Sequence, residues 1–315
     1  MDTENNIEVM TVSSLAGFGI SRVCLGIGFF DGVHRGHQRL LESLLAISRE
    51  LDAVPCALTF FPHPRAILSP GNAPPLLMSP EQKNQKLREA GMKAVITIPF
   101  THEFAELAPD EFIKKCLCSS SVAVAGIAIG TQWRFGRGGS GNLETLKQIG
   151  KLRNWRVEAV DELEIDGQTV SSTAIRRAVA GGRLVDAAAM LGRGYSLLGT
   201  VRHGFKVASR ELSHPTANLE IRYGILPPDG VYGAVAIFDG MRHPAAVNIG
   251  LCPTYHRSGS EVRVEVHVLD YYGDLYERQI ELEFLSYLRE ERTFAGSAEL
   301  KAQIAADIEQ IRKLL

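Results

Sequence analysis

The sequence lacks the features that mark membrane proteins, secreted proteins and proteins stabilised by bound metal. No apolar run approaches the ~20 residues of a membrane-spanning helix, and residues 122–129, among the longest such runs, have the length of a strand. The five cysteines are odd in number and include no CxxC pair, which predicts reduced, mostly buried thiols. The first ten residues are acidic and lack the basic and apolar regions of a signal peptide. We therefore expect a cytoplasmic protein without a membrane partner.

An excess of charge of one sign is also missing. The chain has 34 Lys and Arg against 36 Asp and Glu, a formal net charge of −2. Because no global field would draw it onto a polyanion, nucleic acid is not an expected partner. We expect small-molecule substrates and a monomer or weak homo-oligomer.

In contrast, the glycine content is high and the chain is long. Glycine contributes 30 of 315 residues, more than the ~7% that is ordinary, and clustered glycine often brings the backbone close to a ligand. The length is about twice that of a typical domain. A change of pattern near residue 190 divides the chain into predicted domains at 1–190 and 191–315.

In the first domain, short apolar runs alternate with amphipathic helical patterns, which predicts an α/β fold with a parallel sheet covered on both faces. The predicted strands are 23–28, 53–60, 94–98, 122–129 and 156–160, and the predicted helices are 37–51, 80–90, 109–117, 142–152 and 171–191.

In the second domain the helical patterns stop and turn signals separate apolar runs, which predicts an antiparallel β domain resembling a small barrel. The predicted strands are 195–201, 231–238, 245–249, 261–269 and 278–284, with turns at Asp239-Gly240 and Gly273-Asp274. A final helix, capped by Ser297, places Leu300, Ile304, Ile308 and Ile311 on one face.

The segment 28–38, GFFDGVHRGHQ, follows a predicted strand and opens a predicted helix. Ligands bind at such carboxyl ends of parallel strands, and helix N-termini bind phosphate. His34 and His37 bracket Gly36, which suits a polyphosphate close to the backbone, whereas a zinc site would need a further ligand. The pattern predicts nucleotidyl transfer, in which an anionic phosphate attacks without a general base and the enzyme aligns the reactants.

A second polar segment, 171–176, has the sequence SSTAIR. Ser171, Ser172 and Thr173 would supply hydroxyl donors at the start of a helix, and Arg176 would clamp a phosphate from the far side. A simple helix cap is the alternative interpretation.

The segment 136–141, GRGGSG, matches G-x-G-x-x-G, and Asp161 follows 20 residues after Gly141. A dinucleotide-dependent oxidoreductase is therefore an alternative. However, residues 131–135 separate the first glycine from the preceding strand, whereas that fingerprint needs a tight turn at the strand end. We favour a flexible loop that carries Arg134 and Arg137 beside the phosphates.

Together with motifs further along the chain, these segments resemble the bacterial bifunctional riboflavin kinase/FMN adenylyltransferase (FAD synthetase) family. The motifs are GFFDGVHRGH (28–37), TFFPHP (59–64), PFTHEF (99–104), WRFGRGGSG (133–141), SSTAIR (171–176), PTAN (215–218), GVYG (230–233), NIGLCPTY (248–255) and EVHVLD (265–270). The resemblance implies a Rossmann-like nucleotidyltransferase domain, followed by a six-stranded antiparallel β-barrel with a C-terminal helix.

The resemblance also implies two activities, the transfer of AMP from ATP to FMN and the phosphorylation of riboflavin. It implies Mg²⁺ as a cofactor, ATP as co-substrate, and FMN and FAD as substrate and product. In the first domain, His34, His37 and Arg176 would be catalytic. The expected ATP-binding residues are Gly28, Phe30, Asp31, Gly36, Gln132, Ser171, Ser172 and Thr173, and the expected flavin-binding residues are Phe60, His63, Pro64, Arg65, Phe104 and Phe135.

In the second domain, Glu265 would be the base that receives the proton of the riboflavin hydroxyl. It alternates with valines in its predicted strand, so it faces away from them. Without the resemblance, a solvated strand carboxylate would be the default interpretation. Thr216 and Asn218 offer oxygens for Mg²⁺ and the ATP phosphates.

The chain departs from the family pattern at several positions. Phe29 and Gln132 stand where shorter polar residues are usual, and Cys252 replaces a usually basic residue. The glycine-rich loop of the kinase half reads SRELSHPTAN at 209–218, with two glycines replaced, and serine resists the positive φ that glycine allows. An FMN adenylyltransferase whose barrel only holds flavin is therefore a second alternative.

Overall fold

The computed structural model describes residues 7–202, 216–253 and 260–315, with the side chains of 251–253 and 260–261 left aside. The altered loop at 209–215 and the side chain of Cys252 lie outside the described part. The chain forms two compact units. One comprises the chain up to Pro74 together with Pro80–Ser171, and the other comprises Pro75–Ser79 and the chain from Ser172 onward.

The first unit contains a parallel sheet, as predicted, with six strands: the five predicted ones and β1, which was not predicted. Its strands are β1 (Ile7–Val9), β2 (Arg22–Ile27), β3 (Val54–Phe61), β4 (Ala94–Pro99), β5 (Ala123–Gly130) and β6 (Arg156–Val160). They lie in the order β1-β4-β3-β2-β5-β6. The chain runs from β2 to one side through β3 and β4 and then returns to β5 on the other side. The carboxyl end of β2 is therefore the topological switch point, where ligands of open α/β sheets bind.

Helices connect these strands. They are α1 (Arg35–Glu50), α2 (Pro64–Leu68), α3 (Pro80–Glu89), α4 (His102–Ala105), α5 (Pro109–Phe112) and α6 (Leu143–Arg153). A π-helical turn, Ile113–Leu117, extends α5, so the predicted helix 109–117 has two parts. Leu40, Leu41, Leu44 and Ile47 of α1 are buried, as its periodicity predicts. The short strands β7 (Glu164–Ile165) and β8 (Gln168–Thr169) form a hairpin.

The second unit begins with α7 (Ser172–Ala180) and α8 (Leu184–Leu191). The single predicted helix 171–191 is interrupted at Gly181-Gly182, where Gly182 has φ +72°. A closed antiparallel barrel follows, in the order β10-β13-β12-β11-β14-β9. Its strands are β9 (Ser196–Arg202), β10 (Ala217–Ile221), β11 (Gly230–Phe238), β12 (Met241–Pro253), β13 (Ser260–Val268) and β14 (Gln279–Arg289).

The barrel confirms the expected six-stranded architecture. Asp239 and Gly240 both have positive φ between β11 and β12, as a two-residue hairpin turn requires. Strand β10 is absent from the periodicity prediction because it is short and its Ala and Asn have low β-propensity.

The C-terminal helix is α9 (Ser297–Leu314), and it packs against β11, β12 and β14. Its N-cap is Gly296 without a side-chain hydrogen bond, so the prediction that Ser297 caps it is wrong. Ile311 is fully buried, as predicted. The same face also buries Asp307, which receives hydrogen bonds from Arg289 at 2.9–3.1 Å.

Candidate active sites

The loop after β2 is strained. Phe30 and Val33 have φ of +53° and +39°, and Gly32 between them has +84°. Positive φ is costly for residues with a Cβ and occurs where the surroundings enforce it. The buried Phe30 ring lies against Gly28, where a Cβ would come within 3.2 Å of the ring. The backbone of this loop therefore adopts an unfavourable conformation at the switch point of the sheet.

This loop leads into a pair of histidines at the N-terminus of α1. His34 is the N-cap, and its Nδ1 accepts a hydrogen bond from the His37 backbone N–H at 3.3 Å. The two imidazoles stack, with centroids 3.6 Å apart and planes 17° from parallel. Gly36 makes room for this arrangement, since a Cβ there would lie 3.2 Å from the His34 ring. Because Nδ1 of His34 is an acceptor, its Nε2 is the nitrogen that can donate to a ligand.

The environment of His37 keeps its imidazole uncharged. Burial, followed by the neighbouring His34 and Lys83, lowers the pKa of His37 well below its usual value. Within the described part of the chain, its Nδ1 is buried without a hydrogen-bond partner. Such an atom is costly unless a ligand or water satisfies it.

A lysine missed by the sequence reasoning lies beneath this loop. Lys83 of α3 is only 7% exposed, and its Nζ donates to Thr59 Oγ1 at 3.1 Å. Burial lowers the pKa of Lys83 to about 8, and the nearby Asp31 partly opposes that shift. The sequence did contain a signal for this buried lysine. Leu87 is the one aliphatic residue of α3, so a helix that packs against the sheet has to bury polar side chains as well.

Three of the expected flavin-binding residues lie in one aromatic cluster of the first unit. Phe60 lies 5.4 Å from Phe29 and 5.8 Å from Phe104 between ring centroids. Phe135 joins the same cluster through Phe112, at 5.2 Å. Phe60 and Phe135 are buried, whereas Phe104 is half-buried. Phe104 is thus the most accessible of the three to a ligand.

The TFFPHP segment lies at the carboxyl end of β3, next to that of β2. His63 is the N-cap of α2, and its Nδ1 accepts from the Arg65 backbone N–H at 3.1 Å. The His63 ring lies 5.4 Å from that of Phe29. Pro64 is the first residue of α2, and Arg65 is exposed. His63 therefore extends the aromatic cluster beside the strained loop.

The glycine-rich segment forms a closed loop of its own. Phe135 and Gly141 pair through two backbone hydrogen bonds of 3.1 and 2.9 Å. Gly136 has φ +71°, and a Cβ there would lie 2.9 Å from the Pro109 nitrogen. The exposed Gln132 precedes the loop, after the end of β5. No tight strand-to-helix turn forms here in the described structure, so the dinucleotide fingerprint lacks its geometry.

The SSTAIR segment begins in the first unit and continues into the second. Val170 lies beside the histidine pair, since its carbonyl is 3.8 Å from where a Cβ of Gly36 would be, and Ser171 follows it. Ser172 and Thr173 are the first residues of α7. The Arg176 Nε donates to the Pro75 carbonyl at 2.8 Å. Arg176 is thus anchored to the segment 75–79 of its own unit.

The second unit contains a cavity of about 560 Å³ between the barrel and α9. Glu265 lines it, while Val264 and Val266 on either side are buried in the barrel, as the alternation predicts. In the strand register, Glu265 lies opposite Asn218 on β10 and Asn248 on β12. Thr216 also lines the cavity.

Further polar residues line this cavity that the sequence reasoning missed. The Asn248 Nδ2 donates to Glu291 Oε1 at 2.6 Å, and both residues line the cavity. Arg263 is outside the lining, but its guanidinium lies 3.5 Å from Glu265 Oε1. The Arg292 guanidinium lies 4.8 Å from the Phe294 ring centroid. A concave surface that combines apolar walls with a few charged and polar groups is typical of a small-molecule site.

Among the residues that the structure describes, neither site has a ready-made metal centre. Across 7–202, 216–253 and 260–315, no group of three His, Cys, Asp or Glu side chains converges as a metal site would require. The cysteines Cys24, Cys56, Cys116 and Cys118 are free thiols, as predicted. Thr216 and Asn218 provide hydroxyl and amide oxygens, which are ligands that Mg²⁺ accepts when phosphates complete its coordination.

Comparison with known proteins gives matches to both halves. A family described as FAD synthetase matches residues 20–174, and one described as riboflavin kinase matches residues 191–315. The chain is 37% identical over 288 residues to the bifunctional riboflavin kinase/FMN adenylyltransferase of Pseudomonas fluorescens, covering 91% of each chain. It is 35% identical over 284 residues to that of Escherichia coli strain K12, covering 90% of each. The chain belongs to the bifunctional riboflavin kinase/FMN adenylyltransferase family.

A solved structure has the fold of this family member. It is described as a macrolide-efflux protein from Streptococcus pneumoniae, has a TM-score of 0.83 and 26% identity, and the match covers 98% of this chain and 99% of that one. In the described ranges of the present chain, no helix has the length and apolar character to cross a membrane. Since the matches span both halves, neither the oxidoreductase nor the single-activity alternative is favoured.

Proposed function

We propose that this chain makes FAD from riboflavin in two ATP-dependent steps. The second unit transfers the terminal phosphoryl group of ATP to the riboflavin 5′-hydroxyl, which yields FMN and ADP. The first unit then transfers AMP from a second ATP to FMN, which yields FAD and pyrophosphate. The observation that carries the proposal is the stacked His34/His37 pair on the N-terminus of α1 at the switch point of the sheet.

In the adenylyl transfer, the FMN phosphate is already an anion and attacks the α-phosphorus of ATP directly. The enzyme therefore needs no base and has to align the phosphates and stabilise the charge of the transition state. Nε2 of His34 donates to the ATP phosphates, and the uncharged His37 donates or accepts at the same helix end. The backbone N–H groups of that end add a positive field.

The remaining ATP contacts are assigned to two groups of residues, one around the strained loop and one around the start of α7. We assign ATP contacts to Gly28, Phe30, Asp31, Gly36 and Gln132 around the loop, and to Ser171, Ser172, Thr173 and Arg176 around the start of α7. Ser171 supports this assignment because Val170, which precedes it, lies beside Gly36.

The aromatic cluster beside the strained loop suits the isoalloxazine ring of FMN. We assign flavin contacts to Phe104, the half-buried member, and to His63, Pro64 and Arg65 at the end of β3. Phe60 and Phe135 support these residues from beneath. Offset contacts between aromatic rings contribute roughly 0.5–1.5 kcal/mol each beyond the area they bury.

In the kinase reaction, the 5′-hydroxyl of riboflavin is a weak nucleophile and needs a base. Glu265 accepts its proton, because this carboxylate lines the cavity and is held between two asparagine-bearing strands. Thr216 and Asn218 would hold Mg²⁺ together with the ATP phosphates, and Mg²⁺ would neutralise charge on the transferred group. The donor set of one hydroxyl and one amide fits a metal that arrives with its nucleotide.

We assign the two activities to residues 1–190 and 191–315, in a cytoplasmic protein that acts as a monomer or weak homo-oligomer. The balanced charge and the small anionic substrates support this assignment.

The test is to incubate the purified chain with Mg²⁺ and ATP, in one reaction with FMN and in another with riboflavin, and to separate the flavins by chromatography. We expect FAD in the first reaction and FMN followed by FAD in the second. The absence of FAD from the FMN reaction would contradict the adenylyltransferase, and unchanged riboflavin would contradict the kinase.

A further inference from the structure

Lys83 carries a charge in a place where charge is costly. It lies on α3, is 7% exposed, and donates its described hydrogen bond to a neutral hydroxyl, Thr59 Oγ1. A buried ammonium loses much of its hydration energy and would be cheaper to replace by an apolar side chain. Buried ionisable groups with shifted pKa values cluster at functional sites. Because Lys83 is connected to the strained loop after β2, a functional reason for this cost is expected.

A chain of hydrogen bonds leads from Lys83 to the strained loop. Its Nζ donates to Thr59 Oγ1 at 3.1 Å, and the Thr59 hydroxyl donates to the Phe29 carbonyl at 3.1 Å. Phe29 directly precedes Phe30, the first residue of the loop with positive φ. Lys83 thus orients the hydroxyl that fixes the entrance of the loop.

The charge of Lys83 also faces ionisable groups on two other elements. Asp31, in the loop itself, is buried and favours the charged lysine. His37, on α1, has its pKa lowered by the lysine charge, together with burial and His34. Loss of the lysine proton would leave the Asp31 carboxylate without this compensation and weaken the restraint on the loop.

We propose that Lys83 is a positioning residue of the adenylyl-transfer site, which through Thr59 and Asp31 holds the strained loop so that His34 and His37 meet the ATP phosphates. This inference rests on the proposed FMN adenylyltransferase activity. It adds a residue that does not itself contact the reacting atoms.

The first test uses the wild-type chain. FAD formation from FMN is measured as kcat/KM for ATP between pH 6.5 and 9.5, and we expect a decline with an apparent pKa near 8 as Lys83 loses its proton. A rate that does not decline over this range overturns the proposal without recourse to any variant. Absence of FAD at every pH contradicts the proposed function itself, so the two failures are distinguishable.

The second test compares Lys83→Met with Lys86→Met. Lys86 lies on the same helix but forms a surface ion pair with Glu89 at 2.9 Å. We expect Lys83→Met to lower kcat/KM for ATP about tenfold or more and to lack the decline near pH 8, since the titrating group is gone. Lys86→Met should retain both the rate and the decline. FMN formation from riboflavin by the same chain is the internal control and should be unchanged in both variants.

A role confined to packing predicts a different pattern. A Lys83→Met chain that keeps at least half of the wild-type kcat/KM, or that is slow but still declines near pH 8, overturns the proposal. Thr59→Val provides an independent variant should Lys83→Met fold poorly, because it removes the connecting hydroxyl at nearly constant volume. We expect it to lower kcat/KM for ATP, and an unchanged value would contradict the proposed connection.

Discussion

The first site lies on a loop after strand β2, whereas Glu265 of the second site lies within strand β13. Around His34 and His37, positive-φ residues and buried polar side chains hold the backbone in place. Around Glu265, the register of a closed barrel does so, with Asn218 and Asn248 on the neighbouring strands. A loop site thus needs a dedicated supporting shell, while a barrel strand supplies support through its own pairing. If the two sites are independent in this way, a change at one site should abolish its own activity and leave the activity of the other site intact.

The two largest effects are expected at the two sites themselves, and the first of these is that of His37→Ala. It removes one of the stacked imidazoles, and we expect FAD formation from FMN to fall about 10²–10³-fold, the range for loss of a preorganised transition-state donor. FMN formation from riboflavin should continue at the wild-type rate. The measurement is the initial rate of each product by chromatography. Glu42→Ala, at an exposed position of the same helix, is the matched control, and equal loss of both activities in His37→Ala would contradict separate sites.

Glu265→Gln makes the reciprocal change. We expect FMN formation to fall about 10²–10⁴-fold, because the amide cannot accept the hydroxyl proton, and FAD formation from FMN to remain. Glu220→Gln, which alters an exposed carboxylate paired with Arg202, should leave both rates unchanged. Riboflavin phosphorylation at a near-normal rate in Glu265→Gln would exclude Glu265 as the base.

A smaller effect is expected at the anchor of α9. Asp307→Asn weakens the buried pair with Arg289, and both residues line the cavity. We therefore expect a higher KM for riboflavin, with a loss of roughly 1.5–3 kcal/mol of stability in the second unit. The surface pair of Arg312 with Asp270 is the control, since Arg312→Met should cost no more than about 1 kcal/mol. FAD formation from FMN should be unaffected. Equal effects of the two changes on KM would show that the buried pair does not shape the cavity.

A further effect, seen only when the pH is varied, is a pH dependence of stability in the first unit. The pKa of Lys83 is about 8 in the folded chain and near its ordinary value of 10.5 when unfolded. Between these values the unfolded chain binds more protons, so the stability of the wild-type chain should rise with pH relative to Lys83→Met, by about 3 kcal/mol at most. Urea unfolding followed by tryptophan fluorescence measures this, because both tryptophans, Trp133 and Trp155, lie in the first unit. A difference that stays constant or falls with rising pH would contradict the assignment.

The parts of the molecule that follow a regular period were predictable from the sequence. Strand and helix periodicity predicted the sheet around β2, and alternation of valines placed Glu265 on the face opposite the barrel interior. Residue order after a strand located the histidine pair at the start of α1. In each case, local spacing alone carries the information.

The parts that depend on distant residues were not predictable. The contact of Lys83 with Thr59 joins positions 24 residues apart, and the pair Arg289–Asp307 joins a strand to a helix. The strand β10 pairs on both edges although it is short and its Ala and Asn have low β-propensity, so tertiary contact decides its conformation. Sequence spacing describes one element at a time, whereas these features arise between elements.

The central claim is that one chain carries two independent sites linked by free FMN. The most direct measurement supplies riboflavin, Mg²⁺ and ATP to His37→Ala, to Glu265→Gln, and to an equimolar mixture of the two. We predict that His37→Ala accumulates FMN, that Glu265→Gln leaves riboflavin unchanged, and that the mixture makes FAD. A mixture that makes no FAD, although each variant retains its other activity, would contradict the claim.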